Sequence, residues 1–280
     1  MKIQDIILQY KQKLVIANYS PKTISAYLNA LKLFLAYLSN QQLESVEEIH
    51  IQQYLFICAN ERKYSYSSMK QVMASIRFLY AHILNRAVPQ CLNIRLKKPE
   101  KLPDVLSFEE VQKVFKVTNN LKHKCILMTL YSGGLRMNEL LNLHIKDVDS
   151  DRMQIHIHSG KGQKDRFVML SENLLRYLRE YYGEYQPQKY LFEGQKGGQY
   201  SSSSVQNIMR SALKKAGVRK KATPHTLRHS FATHLLDNGT DIRYIQELLG
   251  HKHLETTRIY THVSSYSINQ IKSPLDSLDI

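Results

Sequence analysis

Ile24, Tyr27, Leu28, Leu31, Phe34, Leu35 and Leu38 recur three and four residues apart, a spacing that gathers apolar side chains only on one face of an α-helix. Ser20 stands where its hydroxyl can cap that helix. Pro21 follows at the first helical position, where a missing N–H loses nothing. Val72, Ile76, Leu79, Tyr80 and Ile83 repeat the pattern and predict a helix from about Ser67 to Arg86. Ser45 with Glu48 predicts a capping box for a helix between these two. About four helices, each with one apolar face, can only bury those faces against each other, so the spacing predicts a small bundle over residues 1–87.

The period changes once. Met153, Ile155 and Ile157 alternate with Gln154, His156 and His158, the pattern of a half-buried strand. A Gly- and Lys-rich turn from Ser159 to Asp165 leads to a second strand, Arg166 to Leu170. The rest of the second half reads as helix. Ser107 with Glu110 forms a capping box, helices continue to about Asn142, and Thr223 with Pro224 opens a helix that runs to Asp237 before Asn238-Gly239. The predicted fold class is mainly α with a small β-hairpin. Pro89, Pro99 and Pro103, three of the seven prolines, interrupt the helical pattern together with Arg95, Lys97, Lys98 and Lys101. This stretch reads as an extended basic linker over 88–104 between a helical domain (1–87) and a second domain (105–280); its composition also suits an ordinary surface loop.

The chain carries 39 Lys and Arg against 24 Asp and Glu, a formal net charge of +15 spread over both halves rather than held in one tail. A polyanion running past both halves, such as DNA between two lobes, suits that distribution. Three cysteines, Cys58, Cys91 and Cys125, make no disulfide framework and suit a reducing cytosol. No apolar signal core or membrane-length apolar run is present, which predicts a cytoplasmic protein with no membrane partner. The Gly-x4-Gly-Lys-Ser/Thr phosphate loop of ATP-driven enzymes is absent as well.

Several residues have chemistry to offer. His225 and Arg228 share a face in the first turn of the helix at Pro224, where free N–H groups and the helix dipole favour an anion. His251 follows Gly250, a C-cap residue type, and Tyr260 lies nine residues later. Arg136 follows two glycines, with Glu139 three residues on to hold its guanidinium; Lys161 lies between Gly160 and Gly162 at the hairpin tip. Taken singly, each has an ordinary structural explanation: a surface ion pair, a solvated lysine, a packed tyrosine. Taken in order, Gly134-Leu135-Arg136-x-x-Glu139, Gly160-Lys161-Gly162, His225-x-x-Arg228, Leu249-Gly250-His251 and Tyr260 resemble the tyrosine recombinases, or phage-type integrases. The resemblance is nearest to Xer-like and integron-like members without an arm-binding domain. It covers nearly the whole chain, with Tyr19-Ser20-Pro21-Lys22-Thr23 similar to their helical (SAM-like) core-DNA-binding domain. Asn138 stands where the family usually has a small residue, and Gly133 where Thr is common.

The resemblance implies a site-specific recombinase that needs no metal and no cofactor. Tyr260 would be the nucleophile, forming a 3′-phosphotyrosyl bond and releasing a 5′-hydroxyl. Arg136 and Arg228 would hold the phosphate, and His225 and His251 would add donors. Lys161 would protonate the leaving oxygen, with Glu139 in support. Lys22, Arg95, Lys97, Lys98 and Lys101 are the candidate DNA contacts. The implied partners are double-stranded DNA bearing a recombination site, three further copies in a tetramer on two sites with residues 261–280 docking on a neighbour, and a partner recombinase or accessory protein. Other readings are a catalytically silent DNA-binding protein, a topoisomerase-like relaxer, and a zinc hydrolase using His225 and His229. The last lacks a His-Glu-x-x-His motif.

Overall fold

The computed structural model describes residues 3–39, 43–99, 102–158, 165–195 and 197–262. The chain divides into two compact units, 1–100 and 101–280.

In the first unit, α1 (Ile3–Ile16), α2 (Pro21–Leu38), α3 (Glu48–Asn60) and α4 (Tyr66–Phe78) enclose a core containing Tyr10, Leu14, Leu31, Phe34, Ile51, Tyr54 and Ile76. Ser20 caps α2 as its sequence predicts, accepting the Thr23 N–H. A buried polar relay ties three helices together: Tyr10 Oη donates to the Ser75 carbonyl at 2.9 Å, and Ser75 Oγ donates to the Tyr27 carbonyl at 2.9 Å. The helix expected over 67–86 does not stay α-helical. After Phe78 it widens into a π-turn, Leu79–Ile83, closed by Leu84 N–H to the Leu79 carbonyl. Leu79 and Tyr80 on this turn are both buried.

The expected Ser45–Glu48 capping box is corrected by the structure. Glu47 is the N-cap, its N–H donating to His50 Nδ1. Glu48 turns away and accepts the N–H groups of Gln90 and Cys91, at 3.2 and 2.6 Å. It thereby anchors a short 3-10 helix, Gln90–Asn93, whose Cys91 and Leu92 are buried in the first unit's core. These residues lie in the stretch read from sequence as a linker.

The second unit opens with α5 (Phe108–Lys116), and both bonds of the Ser107–Glu110 capping box are present. Next come α6 (Leu121–Ser132) and α7 (Met137–Asn142). An antiparallel sheet of order β1-β2-β3 follows: β1 (Val148–Asp149), β2 (Gln154–Ile157) and β3 (Arg166–Met169), with Ile155 opposite Val168 and Ile157 opposite Arg166. The two-residue β1 is too short to show a period in sequence. After the sheet come α8 (Glu172–Tyr185), α9 (Ser202–Lys215), α10 (Pro224–Asp237), α11 (Ile242–Leu249), α12 (Glu255–Arg258) and a 3-10 turn, Ile259–His262. The core of this unit joins Leu127, Leu130, Ile155, Val168, Leu174, Phe192 and Leu227. A smaller cluster of Phe231, Ala232, Ile245, Leu249 and Tyr260 lies where α10, α11 and the last turn meet. Among the described residues no helix is long and apolar enough to cross a membrane.

Candidate active site

The turn between α6 and α7 sets the first guanidinium. Gly134 has φ +57°, and a Cβ there would come within 2.5 Å of the Phe231 ring, so only glycine fits. The turn makes Arg136 the residue that opens α7. Glu139, one turn on, accepts the Arg136 backbone N–H and its Nη1–H, both at 2.8 Å.

Glu139 has a second partner that the sequence reading did not single out. Arg166, the first residue of β3, forks onto the same carboxylate, with Nη1 to Oε1 and Nη2 to Oε2 both at 2.8 Å. Burial alone would raise the Glu139 carboxyl; Arg166 and then Arg136 outweigh it and hold it at about 2.

Arg228 comes from α10, whose start is fixed by Pro224 and by the Thr223 N–H donating to Thr226 Oγ1. Its side chain is 1% exposed and lies 3.9 Å from Glu139. Burial first, and the neighbouring Arg136 second, lower the Arg228 guanidinium to about 9, still protonated at neutral pH.

Three guanidiniums share one carboxylate, and the end of α11 gives each of them a further acceptor. The last carbonyls of a helix have no partner within it, and they carry the negative end of its dipole. Here Leu248, Leu249 and Gly250 offer three consecutive carbonyls, each taking a different arginine. Arg166 Nε–H donates to Leu248 at 2.6 Å, Arg228 Nη2–H to Leu249 at 2.7 Å, and Arg136 Nη2–H to Gly250 at 3.1 Å. Arg228 Nη1–H also closes on the Gly134 carbonyl at 2.7 Å. Gly250, at φ +63°, turns the chain out of α11 so that His251 follows directly.

His251 Nε2 lies 3.0 Å from Arg228 Nη2, and its Nδ1 lies 3.0 Å from Thr257 Oγ1. A guanidinium only donates, so Nε2 is the acceptor and Nδ1 carries the proton. Burial, then Arg228 and Arg136, lower this imidazole to about 3. Tyr260, on the last turn, is 1% exposed, and its hydroxyl lies 3.0 Å from His229 Nδ1. Burial raises the phenol above its ordinary value, while Arg228 and Arg136 pull it down. Burial, then His225 and Arg228, lower His229 to about 4. The His225 and His229 rings meet edge to face, 4.4 Å apart. His225 is lowered by burial, Arg228 and Arg136.

The structure therefore brings Arg136, Glu139, His225, Arg228, His251 and Tyr260 together and adds Arg166 and His229. Among the described residues that converge here, three arginines share one carboxylate, an excess of positive charge that suits a phosphodiester whose charge grows toward a dianion as a fifth oxygen attaches. Lys161 and Lys101 lie outside the described residues, as does the tail from 263 on. Lys22 is exposed in the first turn of α2, and Arg95, Lys97 and Lys98 are exposed on an irregular stretch after the Gln90–Asn93 turn.

The three depressed imidazoles give stability a pH dependence. An unfolded chain takes up their protons near pH 6.5, whereas the folded chain refuses them until about 4 at His229 and about 3 at His251. Stability from this source is complete above the unfolded value and is lost as pH falls toward the folded ones. Thermal melts are expected to show a lower Tm at pH 5 than at pH 7.5; an equal or higher Tm at pH 5 would contradict the buried neutral state.

Comparisons with known proteins match both units of the chain. Residues 104–266 match the model of the phage integrase family, and residues 6–90 match that of the phage integrase N-terminal SAM-like domain. A putative integrase/recombinase, y4qK, of Sinorhizobium fredii is 38% identical over 265 residues, covering 94% of this chain and 86% of its own. Tyrosine recombinase XerD of Oceanobacillus iheyensis is 33% identical over 265 residues, covering 88% of this chain and 89% of its own. A crystal structure of XerH site-specific recombinase bound to palindromic difH substrate, a post-cleavage complex, superposes with a TM-score of 0.73 at 27% identity, covering 89% of this chain and 78% of that one.

Proposed function

The chain belongs to the phage integrase family as a tyrosine recombinase that exchanges DNA strands at specific sites, and we propose that Tyr260 is its nucleophile. The observation that supports this is the convergence of three guanidiniums on one carboxylate and one helix end, with the Tyr260 hydroxyl beside them, 3.0 Å from His229 Nδ1.

The Tyr260 hydroxyl attacks the phosphorus, the bond to the 5′-oxygen breaks, and a 3′-phosphotyrosyl link forms. The phenol proton passes to His229 Nδ1, neutral and 3.0 Å away. Arg136 and Arg228 donate to the non-bridging oxygens, where charge accumulates. His251 Nε2 accepts from Arg228, so its part is to orient that guanidinium; His225 lines the same side. Glu139 and Arg166 hold the frame. Lys161 gives its proton to the departing 5′-oxygen. A 5′-hydroxyl of the second duplex then attacks the phosphotyrosyl bond and frees the phenol. The link conserves the bond energy, so ATP has no role. Because Tyr260 is almost fully buried, the Ile259–His262 turn moves as DNA enters.

The protein works in the cytoplasm on double-stranded DNA bearing a recombination site. Four copies hold two such sites, joined by residues 261–280, with a partner recombinase or accessory protein where the sites require one. The exposed Lys22, Arg95, Lys97 and Lys98, together with Lys101, neutralise phosphates. Lys161→Ala tests the acid: single-turnover cleavage is expected to fall by about 10²-fold or more and to recover on a substrate with a 5′-thiol leaving group, which needs no proton. Equal impairment on both substrates would remove Lys161 from that role.

A further inference from the structure

A second cluster of side chains lies on the sheet, outside the arginine site. His156 and His158 project from the solvent face of β2 and its end, and Asp165 precedes β3 opposite them. Their ligand atoms lie within 4.8 Å of one another. Asp165 Oδ2 is 3.6 Å from His156 Nε2 and 3.4 Å from His158 Nδ1. Both distances are long for an N–H···O hydrogen bond. They match the edge of a tetrahedron about a metal with ligands at about 2.0–2.1 Å, which is about 3.3 Å.

The surroundings already provide what such a centre needs. His158 Nε2 lies 3.0 Å from Oδ1 of the buried Asp147, whose other oxygen is fixed by the His144 backbone N–H at 2.8 Å. A carboxylate has only acceptors, so the His158 Nε2–H donates to it. In the neutral ring Nδ1 then presents a lone pair to Asp165 Oδ2. A metal-bound histidine typically has its second nitrogen held by a carboxylate in this way. The His156 ring is held in turn by stacking on Phe167, with centroids 4.6 Å apart.

We propose that His156 Nε2, His158 Nδ1 and Asp165 Oδ2 form a binding site for a divalent metal of the zinc class, completed by solvent, which pins the end of β2 to the start of β3. Two imidazoles and one carboxylate favour zinc, cobalt or nickel over magnesium or calcium. The metal takes no part in strand exchange, and its detection needs no cleavage assay.

The test is titration of tag-free, metal-stripped full chain with Co²⁺, followed by visible absorption and by Tm. One equivalent is expected to produce the intense bands of tetrahedral cobalt, to be displaced by Zn²⁺, and to raise Tm. His156→Gln and Asp165→Asn are each expected to weaken binding at least ten-fold and to abolish the Tm rise, while His225→Gln/His229→Gln keeps both signals. Absent bands with no Tm rise would overturn the site. Bands unchanged in His156→Gln or lost in His225→Gln/His229→Gln would place the metal elsewhere and overturn it equally.

Discussion

Tyr260→Phe is expected to bind its DNA site as well as the parent chain and to form no covalent protein–DNA adduct. The substitution removes one oxygen from a ring that remains packed among Phe231, Ile245 and Leu249. Its structural effect is the loss of one hydrogen bond to His229, about 1 kcal/mol. The chemical effect is total, because no other group takes the place of the phenol oxygen at phosphorus. Incubation with a nicked substrate, denaturation and electrophoresis of labelled DNA read the two effects apart. A denaturation-resistant adduct in this variant would transfer the nucleophile to another residue and undo the assignment.

The second large effect is expected from Arg228→Lys. Lysine keeps the charge and loses the planar fork. Arg228 uses that fork to reach Gly134, Leu249 and His251 at once, and an ammonium cannot span these partners. Single-turnover cleavage is expected to fall by about 10²–10³-fold, the usual loss when one preorganised donor to a transition-state oxyanion is removed. Stability is expected to drop by about 1–3 kcal/mol, since buried carbonyls lose a donor, so rates are compared where denaturation curves show both proteins folded. A rate within a few-fold of the parent would mean that charge alone suffices and that the fork serves only packing.

Sequence periodicity was enough to find most helices and the hairpin, because apolar spacing and caps are local. Ser107 with Glu110, Ser20 with Pro21, and Thr223 with Pro224 each mark a helix start that the structure contains. Glu48 shows where that logic ends. It looks like a capping partner for Ser45, yet its carboxylate serves N–H groups some 42 residues away, which no local pattern encodes. Arg166 could have been found. Its strand alternates with Phe167 and Met169 outward and Val168 inward, so an arginine stands at an inward position. A charge there requires a buried partner, and Glu139 is that partner. His229 was legible as a helical neighbour of His225, but its bond to Tyr260 depends on how the last turn folds back on α10. The use of backbone carbonyls as the arginines' common seat has no side-chain signature at all.

That seat makes tolerance to mutation uneven along the chain. Leu248, Leu249 and Gly250 supply no reactive group, yet each fixes the aim of a different cation. A shift of one residue along α11 slides the backbone by about 1.5 Å and misdirects all three together, whereas loss of one arginine removes a single cation. Insertion or deletion of one residue within α11 should therefore cost more activity than side-chain substitution at 248 or 249.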